Sequence, residues 1–252
     1  DKRLEAEIVM DASGVYDTPA FAGTGGLPAR GEIAAGTRML HHLGAIDQAR
    51  DRLRGRRLLL VGHGHSAANA LLMLEAVAVE TPGTRVTWAT RSANRRPVAE
   101  AADDPLPERQ RVASRANALA AGPPNWLTVA RRASIDGLEP EGAGGGALRV
   151  TLSTGGVLVV DEIIALTGYR PDLGFLSELA LEISPATEGA ARLARALSGV
   201  TDCLAVPEVG PRDLDSGEPG FYLIGSKSYG RSRTFLIRTG LAQVERILEE
   251  IR

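Results

Sequence analysis

The feature that most constrains the fold is an apolar run that leads into a glycine turn and then a helical pattern, LLLVGHGHSAANALLML at residues 58–74. A bare apolar run of this kind is typical of a central parallel strand that is buried on both faces. Gly62 permits the tight turn, Gly64 lets a pyrophosphate approach the backbone, and Ala67 lets the helix lie close to the strand. The pattern predicts a strand, turn and helix that bind the phosphates of a dinucleotide.

Polar residues at the start of this helix fit the same interpretation. Ser66 lies where unpaired backbone N–H groups and the positive end of the helix dipole would face an anion. His65 is expected either to line the nucleotide pocket or to be exposed. The four histidines of the chain match no known ligand spacing, and the single thiol, Cys203, is distant in sequence, so no metal site is predicted.

The end of the next strand indicates which nucleotide is bound. Residues 56–91 form one βαβ unit, and a site for NAD would carry an Asp or Glu near the end of its second strand to hold the ribose hydroxyls. Here the sequence reads WATRSANRR, with Arg91 in that place, Arg95 and Arg96 behind it, and no acid. Because a guanidinium suits a 2′-phosphate, we expect NADPH, bound through Arg91. A solvated basic loop is the alternative.

The remaining patterns predict an α/β chain. Apolar spacing predicts strands at 5–14 and 220–226 and helices at 37–53, 66–79, 108–121, 188–197 and 233–251. Three β-rich runs suggest a small antiparallel meander, at 128–135, 147–153 and 157–166. The glycine-rich stretch 141–146 is expected to be a mobile hairpin tip. Apolar residues of the last helix are expected to be core, namely Leu236, Leu241, Val244 and Leu248.

Composition excludes several classes of protein. The chain has 252 residues, a hydrophobic content of 44% and a formal net charge of −2, so nothing suggests a nucleic-acid binder. One cysteine excludes a disulfide framework and a CxxC redox pair, and we expect a cytoplasmic protein. No apolar run approaches the roughly 20 residues of a membrane span. The opening DKRLEAEIVMDASG enters a strand at once and looks like a cut through a domain.

Five motifs in order resemble one family. They are VMDASG, GLPARGE, VGHGHSAANA, ALTGYRP and GFYLIGSKSYGRSRTFLIRTGLAQV. Together they resemble the two-dinucleotide flavoproteins, the thioredoxin-reductase-like and flavin-monooxygenase-like FAD/NAD(P)H oxidoreductases. In that family an NADPH domain is inserted into an FAD domain. The resemblance implies a Rossmann-like NADPH domain with a three-strand antiparallel meander at 36–167, inserted in an incomplete FAD-binding domain at 1–35 and 168–252.

The resemblance also implies cofactor contacts outside the glycine turn. It places Ser13 and Gly14 beside FAD at the end of a strand. It makes TGYRP a crossing between the domains, with Gly168 and Arg170 near the cofactors. Gly225 belongs to the closing motif, whose strand and helix the family packs against the flavin.

Three residues just before the last helix are candidates for contact with a substrate. The N-terminus of that helix would favour an anionic reduced flavin through its partial positive charge. Lys227, Tyr229 and Arg231 could hold an anionic substrate or tune the flavin. The alternative is that Lys227 and Arg231 are surface charges and Tyr229 packs in the interior.

The sequence also departs from the family pattern. The family begins with its own GxGxxG for the FAD pyrophosphate, and no such motif precedes Gly62. Ser226 follows Gly225 where the family has the acid that holds the ribityl chain. Leu27 stands where the flavin-monooxygenase fingerprint requires a histidine, and the absence of CxxC argues against the disulfide-reductase branch.

Two classes of function follow from these observations. The first is part of a flavin-dependent oxidoreductase that passes hydride from NADPH to FAD and then to a small-molecule substrate or oxygen. The second is a flavin-free NADP(H)-binding module or sensor. A flavin-free dehydrogenase would need an acid/base pair, and none is evident. A homodimer is compatible with the sequence, which identifies neither the substrate nor the oligomeric state.

Overall fold

The structure is a computed structural model that describes residues 3–100, 104–142 and 146–251. The chain divides into two compact units. The terminal unit comprises Asp1–Pro19 and Gly168–Arg252, and the central unit comprises Ala20–Thr167. The predicted hairpin tip at 141–146 falls partly outside the described residues. None of the described helices has the length and apolar character that a bilayer crossing requires.

The elements follow one another along the chain with short connections. The strands are β1 (Val9–Asp11), β2 (Met39–Leu40), β3 (Arg57–Val61), β4 (Arg85–Thr90), β5 (Leu127–Arg131), β6 (Ile135–Glu141), β7 (Ala147–Leu152), β8 (Val157–Val160), β9 (Glu162–Ala165) and β10 (Phe221–Leu223). The helices are α1 (Glu32–Ala35), α2 (Leu43–Gln48), α3 (Arg50–Leu53), α4 (His65–Glu80), α5 (Pro107–Ala121), α6 (Ala191–Ala196), α7 (Pro211–Leu214), α8 (Gly225–Tyr229) and α9 (Ile237–Ile251).

A parallel sheet with the order β2-β9-β3-β4-β5 forms the middle of the central unit. Strand β3 is central, as its sequence predicts, and residues 58–61 are buried. Leu58 and Leu60 pack in one core cluster with α4 and α5, whereas Leu59 and Val61 pack in another with the antiparallel strands. Both faces of β3 are therefore covered, which explains why its apolar residues do not alternate with polar ones.

The antiparallel meander is present as β6-β7-β8, so its existence is confirmed. The strands that form it are not all the ones that the sequence predicted. The run 128–135 contributes mainly β5, which pairs in parallel with β4. The run 157–166 splits at Asp161, because this residue pairs with Arg57 at the start of β3 and turns the chain back into the parallel sheet as β9.

Two further expectations need correction. The expected first domain ended at residue 35, but the division of the structure lies between Pro19 and Ala20. Residues 20–35 belong to the central unit because Gly23 and Arg30 form backbone bridges to β6. The helix expected at 37–53 consists of β2, α2 and α3 instead.

The terminal unit is built on the parallel pair β1–β10, in which Val9 lies opposite Phe221 and Asp11 opposite Leu223. Helix α9 packs through Ile247 on a cluster that contains Ile224 and Leu214. The expectation that the apolar residues of α9 are core is wrong in part. The side chains of Leu241 and Leu248 are 62% and 46% exposed.

Candidate functional site

The backbone conformation and the packing around residue 62 both require a glycine. Its φ of 122° is a conformation that favours glycine, and a Cβ there would lie 2.4 Å from the carbonyl oxygen of Leu166. The turn is held on both sides of the residue. The N–H of Gly62 donates to the carbonyl of Ala89, and its own carbonyl accepts from the buried indole Nε1 of Trp88 at 2.7 Å.

Neither the backbone conformation nor the packing around residue 64 requires a glycine. Its φ of −82° and ψ of −178° are an extended conformation that any residue can adopt. A Cβ on Gly64 would meet no protein atom within 4 Å. Neither backbone strain nor internal packing therefore explains this glycine. Open space beside a backbone at the start of a helix is what a ligand that contacts that backbone needs.

Helix α4 begins directly after this glycine, and its first turn suits an anion. No acidic residue lies in the first turn, and no side chain forms a capping hydrogen bond. Ser66 is exposed there, and Ala67 is fully buried, which allows the helix to lie close to β3. Burial and the positive charge of Arg109 lower the pKa of His65, against the opposing effect of Asp104. The helix start therefore offers N–H donors and a neutral imidazole at neutral pH.

The three arginines after β4 differ in their contacts. Arg95 donates two hydrogen bonds to the carbonyl of Ala121 at the end of α5, and Arg96 pairs with Glu100. Arg91 is exposed and has no hydrogen bond or ion pair with any residue that the structure describes. Of the three guanidinium groups, that of Arg91 is the one left for a ligand.

The terminal unit places the loops that follow β1 and β10 side by side. Both β1 and β10 end at the same edge of their pair, because they are parallel. A Cβ on Gly14 would lie 3.7 Å from Oγ of Ser226, so the loops after the two strands are adjacent. Gly225 and Gly168 have φ of 66° and 96°, and a Cβ on either would meet no protein atom within 4 Å.

A buried ion pair lies at this same edge. The ammonium of Lys227 donates to Oδ2 of Asp11 at 2.8 Å and to Oγ of Ser13 at 2.7 Å. Its Nζ also lies 4.4 Å from the centre of the Phe175 ring. Burial alone would raise the pKa of Asp11, but hydrogen bonds from Lys227 and Ser13 outweigh burial and lower it. Lys227 is therefore not the surface charge of the alternative interpretation, and its contact with a substrate stays a prediction.

Tyr229 and Arg231 occupy different environments. The Tyr229 side chain is 2% exposed, packs edge-on against Phe235, and its hydroxyl has no hydrogen-bond partner among the described residues. Arg231 is exposed and lies 3.4 Å from the carboxylate of Glu188. Arg170 donates two hydrogen bonds to that same carboxylate, at 2.8 and 2.7 Å. Glu188 therefore joins two arginines that were predicted for different roles.

Sequence reasoning missed several of these contacts. Asp11 lies in the DASG motif, and its position as an acid at the end of a strand could have marked it as a candidate. Nothing in the sequence indicated a role for Asp104 or Arg109, because the loop and the helix that contain them match no motif. Within the described parts of the chain, no group of three or more His, Cys, Asp or Glu side chains is arranged to hold a metal ion.

The fold is that of the two-dinucleotide flavoprotein oxidoreductases, with a parallel sheet and a three-stranded antiparallel sheet in the central unit. Bacillithiol disulfide reductase from Bacillus cereus matches 97% of this chain and is itself covered over 60%, with a TM-score of 0.62 and 18% identity. Thioredoxin reductase from T. acidophilum matches 97% of this chain and is covered over 65%, with a TM-score of 0.59 and 13% identity.

Thioredoxin reductase from Lactococcus lactis has a TM-score of 0.54 and 16% identity over 89% of this chain. The chain thus spans 60–65% of the length of these solved structures. At such identities the likeness establishes the fold alone. No protein-family model matches the sequence, and no curated protein matches it with significance.

Proposed function

We propose that this chain is part of a flavin-dependent oxidoreductase that passes hydride from NADPH to FAD and then to a small-molecule substrate or to oxygen. The observation that carries the proposal is Gly64, a glycine that neither backbone conformation nor internal packing requires, at the start of α4. A dinucleotide pyrophosphate needs this approach to the backbone. The fold supports the proposal, because the similar solved structures are named as reductases of disulfides and thioredoxin.

The central unit would hold NADPH. Backbone N–H groups at Gly64, His65 and Ser66 would donate to the pyrophosphate, with the dipole of α4 behind them. Arg91 would bind the 2′-phosphate, because its guanidinium is exposed and has no ion pair with a described residue. The imidazole of His65 is neutral at neutral pH, because its pKa is lowered, and can donate one N–H to a phosphate oxygen.

The terminal unit would hold part of FAD. Gly168 and Gly225 leave open backbone where a ligand could lie, and Ser226 supplies a hydroxyl group beside Gly14. Ser13, the residue before Gly14, would supply another hydroxyl group. FAD, when bound, accepts hydride from NADPH and passes electrons to the final acceptor. The chain's own residues would position the cofactor.

The three predicted substrate contacts differ in exposure. Arg231 is exposed and would be the more accessible group for an anionic substrate, whereas Lys227 and Tyr229 are buried. Arg170 would lie near the cofactors and is held by Glu188.

The second candidate is a flavin-free NADP(H)-binding module or sensor. One observation favours it: the sequence has Ser226 where the resemblance implies an acid that holds the ribityl chain. This candidate predicts the same nucleotide site and no flavin.

One experiment tests the nucleotide site and separates the two candidates. Titration calorimetry measures NADPH binding by wild type, Gly64→Ala and the control Gly122→Ala. Gly122 also has open space at its Cβ position and a negative φ, but it caps the far end of α5. We expect Gly64→Ala to bind at least about tenfold more weakly while its melting temperature matches that of wild type, because the added methyl occupies ligand space. Gly122→Ala should bind like wild type.

The visible absorption of the purified chain, before and after incubation with FAD, gives the second readout. Flavin bands that remain after gel filtration support the oxidoreductase. Colourless protein that still binds NADPH favours the module. Equal affinity of wild type and Gly64→Ala would refute the glycine argument for both.

A further inference from the structure

The strands β4 and β5 end side by side at one edge of the parallel sheet, which we call its carboxyl edge. Thr90 lies opposite Arg131 in their parallel register, so the residues that follow, Arg91 and Arg132, leave the sheet as neighbours. The N–H of Ala133 donates to the carbonyl of Thr90 at 2.9 Å. Neighbouring strands lie about 4.8 Å apart, which is less than the length of an arginine side chain. The guanidinium groups of Arg91 and Arg132 can therefore reach one ligand.

Hydrogen bonds connect the two chain segments beyond the last pair of the ladder. The N–H of Arg132 donates to the carbonyl of Ser92 at 3.3 Å, and the hydroxyl of Thr90 donates to the same carbonyl at 3.1 Å. Thr90 is fully buried, which limits the movement of this connection. The backbone of Arg132 is therefore held beside the residue that follows Arg91.

The backbone at Arg132 has a conformation that arginine rarely adopts. Its φ of 55° lies in the left-handed region, where a Cβ crowds the following carbonyl oxygen and glycine or asparagine is preferred. Packing does not explain the arginine, because the residue is exposed and its side chain forms no hydrogen bond or ion pair with any residue that the structure describes. A strained residue of this kind points to a function for its side chain.

The positive charges at the carboxyl edge have no carboxylate partner among the described residues. The guanidinium groups of Arg91 and Arg132 form no hydrogen bond with any of them. Those of Arg95 and Arg131 donate only to backbone carbonyls, which carry no net charge. The ends of β4 and β5 thus carry four positive charges that no described acid compensates. A phosphate dianion would compensate two of them and suits a guanidinium in geometry.

We propose that Arg132 binds the 2′-phosphate of NADPH together with Arg91. The inference deepens the proposed function, because it rests on the nucleotide site at the glycine turn and adds a specificity-determining residue from β5. The adenosine ribose of a dinucleotide lies at the end of the second strand of a βαβ unit, so its 2′-phosphate would lie beside both arginines. Each guanidinium would donate charge-assisted hydrogen bonds to this phosphate, a group that NADH lacks.

The test is titration calorimetry of wild type, Arg132→Gly and Arg132→Lys with NADPH, NADH and 2′-AMP. We expect Arg132→Gly to bind NADPH and 2′-AMP about tenfold more weakly and to bind NADH like wild type, because only the 2′-phosphate loses a ligand. Its melting temperature should change little, because relief of the left-handed strain offsets the greater freedom of glycine in the unfolded chain. Arg132→Lys should lose less affinity, because it keeps the charge.

The matched control is Arg56→Gly. Arg56 is exposed, directly precedes β3 at the opposite edge of the same sheet, and its side chain forms no hydrogen bond or ion pair with a described residue. This variant removes one positive charge from the central unit without changing the carboxyl edge. All three ligands should therefore bind to it as they bind to wild type.

Three results would overturn the inference. Equal affinity of wild type and Arg132→Gly for NADPH would refute it and leave the nucleotide site in place. A loss of the same size for NADPH and NADH would mean that Arg132 supports the fold or the pyrophosphate rather than the 2′-phosphate. A loss for NADPH in Arg56→Gly as large as that in Arg132→Gly would mean that net charge, rather than position, determines the affinity. If wild type binds none of the three ligands, the proposed nucleotide site itself fails, and this inference fails with it.

Discussion

The buried pair of Lys227 and Asp11 should make the terminal unit sensitive to any change that removes one charge. Asp11→Asn leaves the ammonium of Lys227 without its carboxylate, in a place where the lysine side chain is 1% exposed. Breaking such a pair by removing one partner typically costs about 3–5 kcal/mol, because a buried charge stays uncompensated. Total stability of a domain is about 5–15 kcal/mol, so the loss would be a large fraction of it.

A double-mutant cycle measures the pair. Lys227→Met should also destabilise the unit, whereas the double variant Asp11→Asn/Lys227→Met should recover much of the loss, because no unpaired charge remains. Urea unfolding followed by circular dichroism gives the free energies. The control is Arg246→Met, because Arg246 forms exposed ion pairs with Glu208 and Glu249 in the same unit, and we expect it to cost about 1 kcal/mol or less.

The pH dependence of stability follows from the pKa of Asp11. Burial raises the pKa of Asp11, but the hydrogen bonds that its carboxylate accepts from Lys227 and Ser13 outweigh burial, so the pKa is lower in the folded chain than the ordinary value of 3.8. The stabilisation is therefore fully present above pH 3.8 and is lost as the pH falls below that value, through the pKa of the folded state. Asp11→Asn should lack this acid-dependent loss. Additive single effects, or single variants that lose under about 1 kcal/mol, would refute the argument for a coupled buried pair.

Three further outcomes are expected. Arg91→Ala should weaken NADPH binding in calorimetry by roughly ten- to a hundredfold and leave NADH binding almost unchanged, because one charge-assisted hydrogen bond to the 2′-phosphate is lost. Equal loss of affinity for both nucleotides would contradict this. Tyr229→Phe should leave the free energy of unfolding in urea unchanged or raise it by about 1 kcal/mol, because it removes a buried hydroxyl that has no partner among the described residues and keeps the ring against Phe235. A clear loss of stability would show that the hydroxyl has a partner. Affinity for NAD⁺ should rise as the pH falls through the pKa of His65, which burial and Arg109 lower from 6.5, because a bound phosphate favours the protonated imidazole. His65→Gln should abolish this rise, and a variant whose affinity still rises in the same way would show that His65 is not in the site.

The sequence predicted the centre of the fold because local patterns determine it. The apolar run of β3 requires cover on both faces, and the glycine turn permits only a strand that leads into a helix. Gly62 and Gly64 could both be assigned from spacing. Only the structure separates them, because Gly62 has a positive φ that favours glycine, whereas Gly64 has a φ that any residue can adopt.

The contacts that sequence reasoning missed join residues that are far apart in the chain. Lys227 and Asp11 are separated by 216 positions, and no motif relates them. Glu32 was not singled out either, although its buried carboxylate accepts from the N–H groups of Ala22 and Ala29. That acid helps to hold residues 20–35 in the central unit, and neither propensity nor spacing predicts such a partner.

The hydrogen bond between Trp88 and the glycine turn gives the protein a built-in optical reporter. The indole N–H of Trp88 donates to the carbonyl of Gly62, and the ring is fully buried. Indole emission responds to changes in its hydrogen bond and in the local field, so a ligand that moves this turn would alter the signal from Trp88. Trp126, the other tryptophan, lies just before β5 at the opposite edge of the sheet and would act as an internal reference. Single-tryptophan variants of the unlabelled chain would therefore separate occupancy of the turn from unfolding of the sheet.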